Sequence, residues 1–454
     1  MATIDSLKHT RRTTSNGAKI VVLDTGGVLS PEDVAMLQAL HSRSTRGLDG
    51  HLEVLSKKGG SGDFMDTYYV GYGDKSIGDC GTTTIFIEGV SMLVAKAIQD
   101  WPLYNGQESS TRYTDFATQP FIDPVGTKKS KEILENWRSF YVNRMPQLVE
   151  ALTNKFPRHG NEDEKIYAKA IKARAFDIIR GFLPAGASTN LSWHTNLRQG
   201  ADHLMLLRHH PLEEVRDVAR AIEDALKEKY PHSFRQKLYP NTESYNKYLM
   251  DNGGYFCPKT WYDFKVYTDR FSKTKLGEFK KILKTRPMKT ELPKNIRKCG
   301  VVEFDFLLDF GSFRDIQRHR AINQEMPLLT EKFGFESWYI NELPKTLQKE
   351  ANKILKEQRG ATDKLKLSPS LRQYYLPMGY KVPNEIEGDL KGLVWLVELR
   401  ATRFVHPTLR KRARQMAQIL IKKYKNMGLV LHLDTDPDRF DIKRGSHDIV
   451  EKTN

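Results

Sequence analysis

Cysteine is scarce in this chain. Cys80, Cys257 and Cys299 are three in 454 residues, odd in number and never at paired metal-ligand spacing. A disulfide framework and a thiolate metal site therefore have no support, and a reduced, cytoplasmic setting is the expectation. Long apolar runs are missing too. No stretch reaches the ~18 consecutive apolar residues of a membrane span, so no membrane partner is expected. The opening Met1-Ala-Thr-Ile-Asp-Ser-Leu-Lys-His-Thr-Arg-Arg12 lacks the apolar core of a signal peptide and reads as a flexible arm. No G-x-G-x-x-G follows a strand, which counts against a Rossmann dinucleotide site, and no recognised nucleic-acid module is visible.

What is present in excess is positive charge. Lys and Arg number 72 against 56 Asp and Glu, a formal +16. The stretch Lys273 to Lys298 holds ten basic residues against two glutamates, and Arg410-Lys-Arg-Ala-Arg414 forms a second cluster. Such a field attracts polyanions, nucleic acid among them, or steers small anionic nucleotides. It also serves simply as a solvated surface.

The hydrophobic pattern alternates between short strands and long helices. Ile20 to Asp24 reads as a strand, and Ser30-Pro-Glu-Asp opens a helix with a capping serine, a first-turn proline and two acids. Thr82 to Ile87 reads as a strand followed by a helix over Gly89 to Gln99, whose apolar residues recur at helical spacing. Lys128 to Phe156, Asp163 to Ile179 and Pro211 to Tyr230 are long helical patterns. Periodicity breaks near Pro231 to Pro240, which sets expected domains at 1–235 and 236–454.

Two stretches carry chemistry. Arg318-His319-Arg320 places three donor-rich groups on consecutive residues, suited to a helix end where they can fan around one anion. The plainer reading is a solvated basic patch. Two hundred residues upstream lies Glu108-Ser-Ser110-Thr-Arg112-Tyr113. Together they resemble the flavin-dependent thymidylate synthases, where an Arg-His-Arg triplet that helps hold FAD is followed closely by a Glu-x-Ser-x-Arg-Tyr run that binds dUMP. This chain separates them. Its first copy has Asp100-Trp101-Pro102 where the triplet belongs, and its second continues Asn323-Gln-Glu-Met-Pro-Leu-Leu-Thr330 with no Ser-x-Arg.

The resemblance implies an α+β fold in two tandem copies, each an antiparallel sheet flanked by long helices. It implies that Glu108, Ser110, Arg112, Tyr113 and Arg180 bind the nucleotide, and that Arg318, His319, Arg320, Asn196, Arg198 and Ser76 hold the flavin. Arg208 and its second-copy counterpart Arg400 would face the uracil edge as catalytic groups. The implied activity is methyl transfer to dUMP with FAD, NADPH and 5,10-methylenetetrahydrofolate. The implied assembly is a homodimer forming a pseudo-tetramer, with composite sites between unlike copies. Leu40-His-Ser-Arg-Ser44 resembles the family's small Arg/Ser phosphate contact. Asp74 stands where the family's Gly-His-x-Ser element has histidine, and an aspartate there repels phosphate. In the second copy Gln373, Asp389 and Lys391 stand where Arg180, Asn196 and Arg198 do, with Lys391 the expected partner of Asp389. Hydroxymethylation, modification of a base within RNA or DNA, and a catalytically silent nucleotide-binding role stay open beside thymidylate synthesis.

Overall fold

The computed structural model describes residues 6–24, 26–111, 114–160, 162–235, 237–253 and 258–435. Two compact units emerge. One is drawn from the spans Met1–Ser110, Gln119–Pro124 and Gly186–Gly253, the other from Thr111–Thr118, Val125–Ala185 and Gly254–Asn454. Both are α+β with wholly antiparallel sheets.

The first unit carries β1 (His9–Thr13), β2 (Lys19–Leu23), β3 (Thr82–Ser91), β4 (Asn105–Glu108) and β5 (Ser188–Asn196), in the spatial order β1-β2-β3-β5-β4. Period-two alternation sends Ile20, Val22, Thr83, Ile85 and Ile87 inward. The Glu213–Lys229 helix covers β1 and β2 with an apolar stripe that includes Val215, Val218, Ile222 and Leu226. Ser30 caps the Pro31–His41 helix as its sequence predicts, in a reciprocal box with Asp33.

The helix expected from Gly89 starts instead at Met92, because β3 continues to Ser91 through a bulge between Ile87 and Val90. Gly89 takes φ +72° there, a left-handed conformation that glycine adopts without steric cost. Its N–H donates to Asn190 Oδ1 at 2.9 Å.

The second unit carries β6 (Phe264–Asp269), β7 (Val301–Asp309), β8 (Asn323–Glu325) and β9 (Lys381–Asp389), ordered β6-β7-β9-β8. That order repeats β2-β3-β5-β4. Phe304 and Phe306 of β7 are fully buried, and the Pro407–Tyr424 helix lies on this strand. The Lys128–Lys155, Glu164–Ile179 and Lys345–Lys364 helices belong to the same unit.

A buried ion pair fastens its last described segment. Arg286 donates to both carboxylate oxygens of Glu398, to Thr290 O at 2.6 Å and to Val430 O at 3.2 Å, while His432 N donates to Glu398 Oε1 at 2.8 Å. Arg286 is 4% exposed at the side chain. Losing one member of such a pair strands a buried charge, so Glu398→Gln is expected to destabilise this unit by about 3 kcal/mol in chemical denaturation.

Candidate functional site

Helix caps bring the sequence-predicted residues to the sheet ends. In the first unit Ser91 caps the Met92–Gln99 helix, and its N and Oγ both donate to the buried Glu214 carboxylate at 2.9 and 2.6 Å. At the helix's other end Gln99 Nε2 donates to Glu108 Oε2 at 2.8 Å. Past it, Trp101 Nε1 donates to Gln199 Oε1 at 3.0 Å, and the indole lies 4.7 Å from the His203 ring. Burial pushes His203 down to about 4.

Asn196 caps the Leu197–Leu207 helix, its Oδ1 accepting from Gln199 N at 2.7 Å. Arg198 is matched by Asp79 at 2.8 Å and Asp202 at 3.5 Å. Ser76 Oγ donates to Asp74 Oδ1 at 2.7 Å, and Arg43 binds Asp74 Oδ2 at 2.6 Å. The Ser76 hydrogen bond and the Arg43 charge hold the Asp74 carboxyl below its ordinary value. The arginine of the short phosphate-like motif and the aspartate that replaces histidine thus neutralise each other. Arg208 meets Glu243 at 3.2 Å and Glu223 at 3.5 Å, and His209 Nε2 shares Glu243 at 2.8 Å. Glu243 lies on the Pro240–Asn252 helix, and nothing in its local sequence marks it as a partner for Arg208.

In the second unit Asp309 holds the cap position that Ser91 has in the first. Its Oδ2 accepts from Ser312 N at 2.9 Å and from Tyr339 OH at 2.7 Å. The Phe310–Ile316 helix ends at Gln317, and the triplet occupies the turn beyond it. Arg318 and Arg320 are exposed on either side of a buried His319. Arg400 closes the Leu390–Arg400 helix and donates from Nε to His319 Nε2 at 2.7 Å. Burial, and then the Arg400 charge, push His319 down to about 3, so the ring is neutral. Two residues that the sequence separates by 81 positions therefore touch.

The two sheets can be compared by register. Asn105 pairs His194, and Asn323 pairs Glu387, each two residues before the cap that ends its strand, Asn196 or Asp389. Counted along the chain from that register, Met326 corresponds to Glu108, Leu328 to Ser110 and Thr330 to Arg112. Leu328, Leu329 and Thr330 are buried, and Gln373 Oε1 accepts from Leu329 N at 2.8 Å. This corner of the second unit is filled by side chains.

Arg180 opens a one-turn 3₁₀ segment as Gln373 does. Its Nε and Nη2 are shielded from solvent and meet no hydrogen-bond partner among the described residues. Burial opposes its charge, yet Tyr339, Asp177, Asp315 and Asp309 hold the guanidinium above its ordinary value. Arg112 and Tyr113 lie outside the described residues. Asp389 pairs not with Lys391 but with Arg297, at 2.7 Å, and Lys391 pairs with Glu291 at 2.5 Å. Asp389 Oδ1 meanwhile caps its helix through Gly392 N at 2.9 Å.

As a place for a flavin diphosphate, the exposed arginines flanking His319 suit an anion. Arg198 already faces two carboxylates, which a diphosphate would have to displace. No helix among the described residues is long and apolar enough to cross a membrane.

A mixed α+β chain with antiparallel sheets and arginines set at helix ends is thus the class that fold and site define. Residues 31–232 match the family model described as thymidylate synthase complementing protein. That segment, a little under half of the chain, is thymidylate synthase-like and similar to the flavin-dependent thymidylate synthases. The chain is 26% identical over 418 residues to a UPF0159 protein of Chlamydia muridarum, covering 79% of this chain and 78% of that one. A UPF0159 protein of Chlamydia pneumoniae is 23% identical over 419 residues, with coverage of 79% and 78%. A UPF0159 protein of Thermoplasma acidophilum is 23% identical over 490 aligned positions, with coverage of 87% and 95%.

Proposed function

We propose that the chain is a cytoplasmic, FAD-dependent enzyme that transfers a one-carbon unit to C5 of a uracil nucleotide, converting dUMP to dTMP. Its two halves are tandem copies of one fold, and a homodimer supplies the four copies that composite sites need. The observation that carries this reading is complementary loss. One copy keeps Glu108, Ser110 and Arg112, and the other keeps Arg318, His319 and Arg320. Decay of an idle gene would more often damage both sets in one copy.

Ser110, Arg112 and Arg180 bind the phosphate through charge-assisted hydrogen bonds, and that remote binding orients the reacting ring. An arginine at the uracil edge, Arg208 or Arg400, stabilises negative charge as C5 becomes nucleophilic. Arg318 and Arg320 hold FAD, which when bound supplies the hydride that brings the carbon to the methyl level. Methylenetetrahydrofolate is the carbon donor and NADPH the reductant. Product mass tests the reading. Incubated anaerobically with dUMP, FAD, NADPH and methylenetetrahydrofolate, the protein is expected to yield a nucleotide in which a methyl group replaces the C5 hydrogen, a mass gain of one CH2. Unchanged dUMP with flavin still bound would overturn it.

One observation favours a second reading, modification of a pyrimidine within RNA. A groove of about 780 Å³ between the Lys128–Lys155 and Lys345–Lys364 helices is lined by Lys129, Lys353, Lys356 and Lys364 against Glu132 and Glu357, a net positive surface. Binding of RNA there would weaken steeply with salt.

A further inference from the structure

We propose that His319 is a positioning residue for Arg400, and that Arg400 rather than Arg208 is the arginine this chain presents to the electron-rich edge of its nucleotide base. The inference rests on the thymidylate reading for the identity of the base, but the pair itself stands on geometry.

Arg208 is electrostatically satisfied. Two carboxylates, Glu243 and Glu223, lie within ion-pair distance of it. Arg400 has none among the described residues, and its one hydrogen bond there is to a neutral ring. It is also partly withdrawn from water, and burial holds its guanidinium below its ordinary value. Asp315 offsets part of that burial from beyond ion-pair distance, while Arg318 adds to it; a desolvated cation with no carboxylate in direct contact is costly. The cost falls when an electron-rich ligand arrives, so the group favours a ligand that gains negative charge during reaction.

His319 decides how the guanidinium is aimed. Only Nε of Arg400 is engaged, which leaves both terminal amino groups for a ligand. The ring can accept at Nε2 only as the neutral tautomer protonated on Nδ1. Its backbone is fixed on both sides, its N–H donating to Ile316 O at 3.0 Å and its carbonyl accepting from Gln324 Nε2 at 2.8 Å. A lysine at 400 could not reproduce this, since it has no Nε–H fork to split between anchor and ligand.

The test uses the full-length protein loaded with FAD. His319→Ala is expected to lower kcat for dUMP about 30-fold with KM and flavin content changed less than threefold. His319→Gln, whose amide oxygen accepts the same hydrogen bond, should recover to within about fivefold of wild type. Flavin lost in proportion to activity, or a glutamine variant no better than alanine, would overturn the positioning role and return His319 to flavin binding. A second measurement is independent of turnover. In ¹⁵N-histidine spectra the resonances that vanish in His319→Gln should show an Nδ1–H tautomer at pH 7, with Nε2 shifting in Arg400→Lys. An Nε2–H tautomer, or no shift, would remove the pair. A wild type that makes no methylated dUMP but shows the tautomer and the shift would refute the substrate and leave the pair standing.

Discussion

Replacing Arg112 with alanine is expected to lower kcat/KM for dUMP methylation by about 10²–10³-fold while leaving thermal stability within about 2 °C of wild type. Each charge-assisted hydrogen bond to a phosphate contributes roughly 1.5–3 kcal/mol, and a guanidinium fork supplies two of them. At about 1.4 kcal/mol per tenfold the loss falls in that range even if the phosphate recovers one partner from water. Because phosphate binding is equal in ground and transition states, KM should rise more than kcat falls.

The second unit supplies the contrast. Counted along the chain from the strand register, Thr330 corresponds to Arg112, but it is buried beside Leu328 and Leu329, with Gln373 bonded to the Leu329 amide. Adding Thr330→Arg to the Arg112→Ala protein should therefore restore no activity, and should lower the melting temperature because a charge enters an apolar corner without a partner. Recovery of turnover in the double variant would show that the second unit still has an open phosphate corner. That would contradict the asymmetry on which the composite-site reading rests.

Much of this architecture is legible in the sequence because it depends on neighbours along the chain. The capping box at Ser30 and Asp33 is a three-residue signal. The Lys128–Lys155 and Glu164–Ile179 helices come within a residue of their sequence-predicted bounds, since long amphipathic periodicity is a strong cue. What sequence reasoning missed depends on partners far away. Ser91 delays its helix to Met92 because Glu214, 123 positions downstream, takes both its N–H and its hydroxyl. Lys391 is two residues from Asp389, and side chains two apart at a helix start do not face each other. The carboxylate instead finds Arg297, 92 positions upstream. The triplet shows both limits at once. Its charge density was visible, but nothing local says that His319 turns inward to Arg400 while its neighbours face water.

Acidification from pH 7.5 to 5.0 is expected to lower the melting temperature by about 15 °C, well before carboxylates near their ordinary values take up protons. Burial pushes four histidines down: His203 to about 4, His210 and His319 to about 3, and His406 well below its ordinary value. In the fold each ring is neutral throughout this range. In the unfolded chain each takes up a proton as pH falls through about 6.5, so the unfolded state binds more protons and stability drops with falling pH. At pH 5 each such histidine costs about 2 kcal/mol, from 1.36 kcal/mol per pH unit over about 1.5 units. His203 and His210 together cost the first unit about 4 kcal/mol, and His319 with His406 cost the second about as much, a large part of the stability of an ordinary domain. Glu32, Asp305, Asp309 and Glu385 work in the opposite sense. Burial raises all four carboxyls, so the fold gains a proton before the unfolded chain does and recovers part of the loss. Asp33, Asp217, Asp263 and Asp269 are held low, and their contribution is lost only below about pH 4, outside this window. The loss of stability between pH 6.5 and 5 therefore belongs to the histidines. His319→Gln, which keeps the acceptor but cannot be protonated there, should flatten the slope for the second unit by about half relative to wild type and leave the first unit's slope unchanged. A melting temperature that is level from pH 7.5 to 5.0 would mean that these imidazoles take up protons within the fold. His319 could then no longer accept from Arg400, and two cations would face each other at the heart of the proposed site.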